Sequence, residues 1–105
     1  MISQKPVPND TVRHYLQRAA EAGGIQVKWD QENGFTRYDN NARWNPWDDN
    51  GDALDLAEKM MMTFSLEPSR VAVHWGLYGE EENTQDTYAT LRRLIVRVAA
   101  ESGAA

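Results

Sequence analysis

The residues able to do chemistry are few. The chain has two histidines, His14 and His74, and no cysteine. A thiolate nucleophile, a disulfide framework, an Fe–S cluster and a thiolate zinc site are therefore excluded. His74 beside a carboxylate would form a general acid–base pair. No nucleophile elbow and no Gly-rich phosphate loop accompanies it. Gly23-Gly24 follows a helical pattern instead of opening one, so it is not a phosphate cradle. The expectation is a protein that is not an enzyme, with no catalytic residue to assign.

Oxygen ligands are the next chemistry to weigh. In Asp48-Asp49-Asn50-Gly51-Asp52 the side chains of Asp48, Asn50 and Asp52 alternate as calcium ligands do. Counting from Asp48, the sixth position is Ala53 where a glycine belongs, and the twelfth is Lys59 where a glutamate belongs. A helix N-terminus with acidic residues at its positive end explains the run without an ion. No metal and no cofactor is expected.

Surface recognition remains. Sixteen acidic residues against eleven basic ones give a net charge of −5. Such a chain lacks the clustered Lys and Arg of a nucleic-acid binder, so direct nucleic-acid binding is not expected. Its carboxylates fall into two groups: Asp48, Asp49, Asp52, Asp55 and Glu58, then Glu80, Glu81, Glu82 and Asp86. Both suit solubility or a basic partner. Trp44 and Trp47 flank the first group and are the better contact candidates, because tryptophan anchors many interfaces. Trp29 and Trp75, which alternate with strand neighbours, are assigned to the core. Met60-Met61-Met62 reads as core packing for two of the three, with the third exposed and adaptable as methionine is at promiscuous contacts. Arg92, Arg93 and Arg97 read as the solvated back of a helix.

The elements that must position these residues follow from periodicity. Residues 1–8 hold Pro6 and Pro8 and read as an extended arm. One domain is expected over 9–103. Val12, Tyr15, Leu16, Ala19 and Ala20 predict a helix over 10–22, closed by the glycine pair. Ile25, Val27 and Trp29 predict a strand, Asn33-Gly34 a hairpin turn and residues 35–38 its return. Residues 39–50 read as loop. Ala53, Leu54, Leu56, Ala57, Met60 and Met61 predict a second helix. Residues 63–66 are a short strand or a link, interrupted by Pro68. Val71, Val73 and Trp75 predict a clear strand, and Gly76 to Gly79 a turn-rich segment. Tyr88, Leu91, Leu94, Ile95 and Val98 predict the last helix. The fold class is α+β, a small antiparallel or mixed sheet with three helices packed on it in αββαβα order. The start of the chain lacks the apolar core of a signal peptide, and the apolar runs are too short for a membrane span, so a cytoplasmic protein without membrane contact is expected.

Three segments resemble the phage ABA sandwich domain, a family of small phage and prophage proteins of largely unknown function. They are Ala22-Gly23-Gly24-Ile25-Gln26-Val27-Lys28-Trp29, Trp44-Asn45-Pro46-Trp47-Asp48-Asp49-Asn50-Gly51-Asp52-Ala53-Leu54-Asp55-Leu56-Ala57, and residues 88–100. The resemblance spans residues 22–100 and implies a helix–sheet–helix sandwich and a phage origin. It implies no reaction and no catalytic residue. The expected function is that of a small acidic phage accessory protein binding a host or phage macromolecule. Its sharpest form is an anti-CRISPR-like inhibitor that blocks a basic nucleic-acid-binding surface through Trp44, Trp47, Asp48, Asp49, Asp52, Asp55, Glu80, Glu81 and Glu82. The alternatives are a small-molecule or nucleotide binder with a pocket lined by Trp44, Trp47, Tyr78 or His74, and a homodimeric structural module.

Overall fold

A computed structural model describes residues 7–103. The expected N-terminal arm lies largely outside the described residues; Val7 and Pro8 carry no regular structure. The elements run α1 (Asp10–Gly23), β1 (Val27–Asp30), β2 (Gly34–Arg37), α2 (Asn50–Met60), β3 (Thr63–Glu67), β4 (Arg70–Trp75), β5 (Tyr78–Asn83) and α3 (Thr87–Val98). A π-helical turn, Ala99–Gly103, continues α3. The α+β class and the three helices are as expected, and both sheets are antiparallel: β1-β2, and β3-β4-β5. The order is αββαβββα, with two strands more than the sequence reading counted.

Pro68 accounts for one of them. It does not break a strand; it starts a turn. Glu67 pairs with Arg70, leaving Pro68-Ser69 as a two-residue connection. Ser69 has φ 64°. Proline at the second position and a left-handed residue at the third describe a type II turn. The second added strand is β5, joined to β4 through Gly76-Leu77, where Gly76 has φ 60°. Glycine at the first central position suits a type II′ hairpin.

Helix α1 is capped by Asn9, whose Oδ1 accepts from the Val12 amide at 2.9 Å. It ends at Gly24 in the left-handed conformation, with the Ile25 amide returning to the Ala20 carbonyl. Helix α2 ends in the same way, with the Met62 amide on the Ala57 carbonyl, but Met61 takes the left-handed position that glycine takes after α1. Asp49 caps α2 and Asp86 caps α3.

The core lies between the helices and one face of the three-stranded sheet. Leu16, Ala19 and Ala20 of α1, Leu56 and Ala57 of α2, Val71 and Val73 of β4, and Leu91, Leu94, Ile95 and Val98 of α3 form a single cluster. Phe35 and Trp44 belong to it. On the opposite sheet face Ser65, His74 and Glu81 are exposed. The His74 ring lies over Gly79 on the neighbouring strand, leaving no room there for a Cβ. Among the described residues no helix is long and apolar enough to cross a membrane.

Candidate functional site

The two tryptophans expected at the surface are held inward. Trp44 is fully buried and meets Phe35 edge-on at 6.4 Å. Its amide donates to the Phe35 carbonyl at 2.9 Å, which folds the 38–49 loop back along β2. Its indole Nε1 has no hydrogen-bond partner. Trp47 is half-buried and stacks on Tyr15, centroids 6.2 Å apart. Trp75, assigned to the core by its alternation, is 36% exposed, and Trp29 is half-buried against Phe35. Trp44 is thus a core residue and not a contact residue, while Trp75 is the tryptophan nearest solvent.

The acidic run at the start of α2 is a hydrogen-bonded cap. Asp49 Oδ1 accepts from the Asp52 amide at 3.0 Å, and Asp52 Oδ2 accepts from the Asn45 amide at 2.8 Å. Asn50 Oδ1 accepts from Arg92 at 2.6 Å. These oxygens point at protein donors, and no cluster of three or more His, Asp or Glu side chains suited to a metal ion occurs among the described residues. Asp48, Asp49 and Asp52 do converge, with Arg43 and Asn45, on one hollow of about 50 Å³. Asp55 sits apart from it, 3.3 Å from Arg37, which also holds Asp39 at 2.8 Å.

Burial pushes the Asp52 carboxyl above the usual carboxylate range, against the opposing pull of the Asn45 amide. A raised native pKa means that the folded state holds this proton more tightly than the unfolded chain does, so the group's contribution falls as pH rises through the native value. Asp52→Asn keeps an acceptor for the Asn45 amide without the buried charge. It should be more stable than wild type at pH 7, and the difference should close as pH is lowered towards 4 and Asp52 takes up its proton. Asp52→Ala leaves the amide unpaired and should lose about 1 kcal/mol. Urea midpoints at the two pH values test both statements.

The second acidic group is matched by arginines. Glu80 lies 2.7 Å from Arg97, Glu82 lies 3.3 Å from Arg93, and Glu81 pairs with Arg70, which also holds Glu67 at 3.1 Å. Glu80 and Glu82 share the sheet face of Val73 and Val71, their register partners, and this turns them towards α3. The basic residues near the C-terminus therefore clamp the edge of the sheet.

The pocket of the alternative small-molecule reading does not assemble from Trp44, Trp47, Tyr78 and His74. Trp44 is in the core and His74 lies on the far sheet face. The Tyr78 hydroxyl sits 2.8 Å from Glu101 and 2.9 Å from Glu80, contacts that push its ionisation well above the ordinary phenol range. An open groove of about 590 Å³ lies elsewhere, along Gln17, Glu21, Gln26 and Tyr38.

One end of the three-stranded sheet carries exposed apolar side chains, with the Glu80 and Glu101 carboxylates behind it on Tyr78. Thr63 pairs with His74, so Met61 at the α2–β3 junction and the Gly76-Leu77 turn lie at the same end of the sheet. Leu77 is fully exposed, Met61 is 86% exposed, and Trp75 stands between them in the chain fold. Residues 60–66 and 71–79 contain no Asp, Glu, Lys or Arg, in a chain that is 26% charged. The charge gap was legible in the sequence; the pairing that joins the two segments was not.

No family model matches the chain, and no curated protein or solved structure matches it significantly.

Proposed function

We propose that this chain is a non-catalytic binding protein that docks on another macromolecule through the apolar end of its sheet, at Leu77, Met61 and Trp75. The observation that carries this reading is the pair Leu77 and Met61. Leu77 occupies a hairpin tip, where an exposed leucine adds nothing to the core. Met61 occupies a left-handed cap at φ 58° with its side chain in solvent, a conformation that disfavours any residue with a Cβ by about 1 kcal/mol. Two positions where the fold would do better with a polar residue or glycine carry large apolar side chains instead. Methionine and tryptophan are the types that interfaces enrich.

The test compares immobilised wild-type chain with two variants as baits for bacterial lysate, quantified by mass spectrometry. Leu77→Asp should leave the thermal midpoint unchanged and reduce capture of the retained partner about ten-fold or more. Met61→Gly should raise stability by about 1 kcal/mol while weakening the same capture. Capture unchanged by both substitutions overturns the reading.

A second reading keeps the phage setting implied by residues 22–100: an inhibitor occluding a basic nucleic-acid-binding surface. One observation favours it, the convergence of Asp48, Asp49 and Asp52 at the start of α2. Arg43 shares that hollow and Glu80–Glu82 are matched by arginines, so this reading rests on the α2 end alone. Capture lost on Asp48→Lys with Asp49→Lys, and retained on Leu77→Asp, selects it over the first.

A further inference from the structure

The two edges of the three-stranded sheet are treated differently. The β5 edge carries three successive glutamates, each engaged by an arginine. Charge of this kind keeps a strand edge from pairing with another chain. The β3 edge carries Thr63-Phe64-Ser65-Leu66-Glu67, with one charge at its end and all five residues exposed. Among the described residues no strand other than β4 pairs with it. Phe64 and Leu66 are register partners of Val73 and Val71 and so lie on the helix-covered face. They remain 40% and 42% exposed, because α3 sits over β4.

We propose that β3 pairs antiparallel with β3 of a second copy about a two-fold axis at Ser65, extending the sheet to six strands. The polarity of the strand is symmetric about Ser65: polar, apolar, polar, apolar, polar. A two-fold contact presents the same surface twice, and this strand matches its own reverse. Phe64 falls opposite the partner's Leu66, and Thr63 opposite the partner's Glu67. The row Val73, Phe64, partner's Leu66, partner's Val71 is then apolar across four strands. Charge selects the same edge. Each copy carries −5 and repels the other, but here the single carboxylate, Glu67, is held by its own Arg70 at 3.1 Å. The two-fold axis sets the two Glu67 side chains at opposite ends of the paired strands, so no like charges meet. The Leu77 tips point from opposite ends of the double sheet and stay open to the macromolecular partner; Met61 lies two residues before the paired strand, so Leu77→Asp is the variant that reads the macromolecular contact alone.

Sedimentation equilibrium over a broad concentration range should show a dimer. Leu66→Lys and Phe64→Lys replace side chains that the monomer leaves 42% and 40% exposed, and each should weaken dimerisation about ten-fold or more, read at concentrations where circular dichroism shows the variant still folded. Register is read by cysteine, which the chain lacks. Opposed residues in an antiparallel pair have Cα atoms ~4.5–5.5 Å apart, within disulfide reach. Ser65→Cys should therefore cross-link two copies under mild oxidation. Thr63→Cys alone should not, whereas mixed with Glu67→Cys it should. A wild-type chain that stays monomeric, a dimer indifferent to Leu66→Lys, or cross-linking through Thr63→Cys but not Ser65→Cys would each overturn the proposal.

Discussion

Trp44→Ala should lower the unfolding free energy by about 3–5 kcal/mol, the range for deleting a buried aromatic side chain. Trp44 has no exposed surface and lies among the largest fully buried side chains. Its removal leaves Phe35 with only Trp29 of its two edge-on neighbours and opens a void beneath the 38–49 loop. Trp44→Phe should lose less than half as much. It keeps most of the ring contact and removes an indole N–H that has no acceptor in the core. Urea unfolding followed by far-ultraviolet circular dichroism measures both. A contact tryptophan would behave in the opposite way, with stability unchanged on truncation, so the pair of variants also decides which role the residue has.

Arg92→Ala should be the next largest loss, about 1.5–3 kcal/mol, the range for hydrogen bonds to a charged group. Arg92 Nε donates to the Trp47 carbonyl at 3.0 Å, and a terminal nitrogen donates to Asn50 Oδ1 at 2.6 Å. One guanidinium thus ties α3 to the loop and to the first residue of α2. Lysine carries the charge but not the planar fork, so Arg92→Lys should recover only part of the loss. The Tyr15–Trp47 stack gives an independent signal: in both variants Trp47 should become more accessible to a fluorescence quencher before global unfolding. A solvated arginine on the back of a helix would show neither effect.

Both outcomes bear on what the residues alone reveal. Helix positions were legible because caps and apolar spacing are local: Asn9, the Gly23-Gly24 pair and the stripe from Tyr88 to Val98 act within a few residues. Alternation in β4 correctly placed Val71, Val73 and Trp75 on one face. It could not tell how far along the strand α3 extends, and α3 covers the valines but not the tryptophan. Trp44 sits in a loop without periodicity, and only the return of that loop along β2 buries it. Strand β5 was hidden because Gly-Glu-Glu-Glu-Asn has poor strand propensity. What steadies it are arginines at 70, 93 and 97, one before it and two after it in the chain. The same arginines offset the charge of Glu80, Glu81 and Glu82, a pairing that the residue order does not reveal. Pro68 was misread because a proline that opens a two-residue turn and one that ends a strand look alike until the partner strand is known.

The two-residue turns at Pro68-Ser69 and Gly76-Leu77 set the order in which the chain can assemble. They bring β3, β4 and β5 together with almost no loop to close, and α3 follows within a few residues, so residues 63–98 can condense as one low-contact-order unit. The Tyr15–Glu101 contact, by contrast, spans 86 residues of chain. On that basis docking of α1 against the C-terminal turn should come late in folding, and truncation there should speed unfolding far more than it slows refolding.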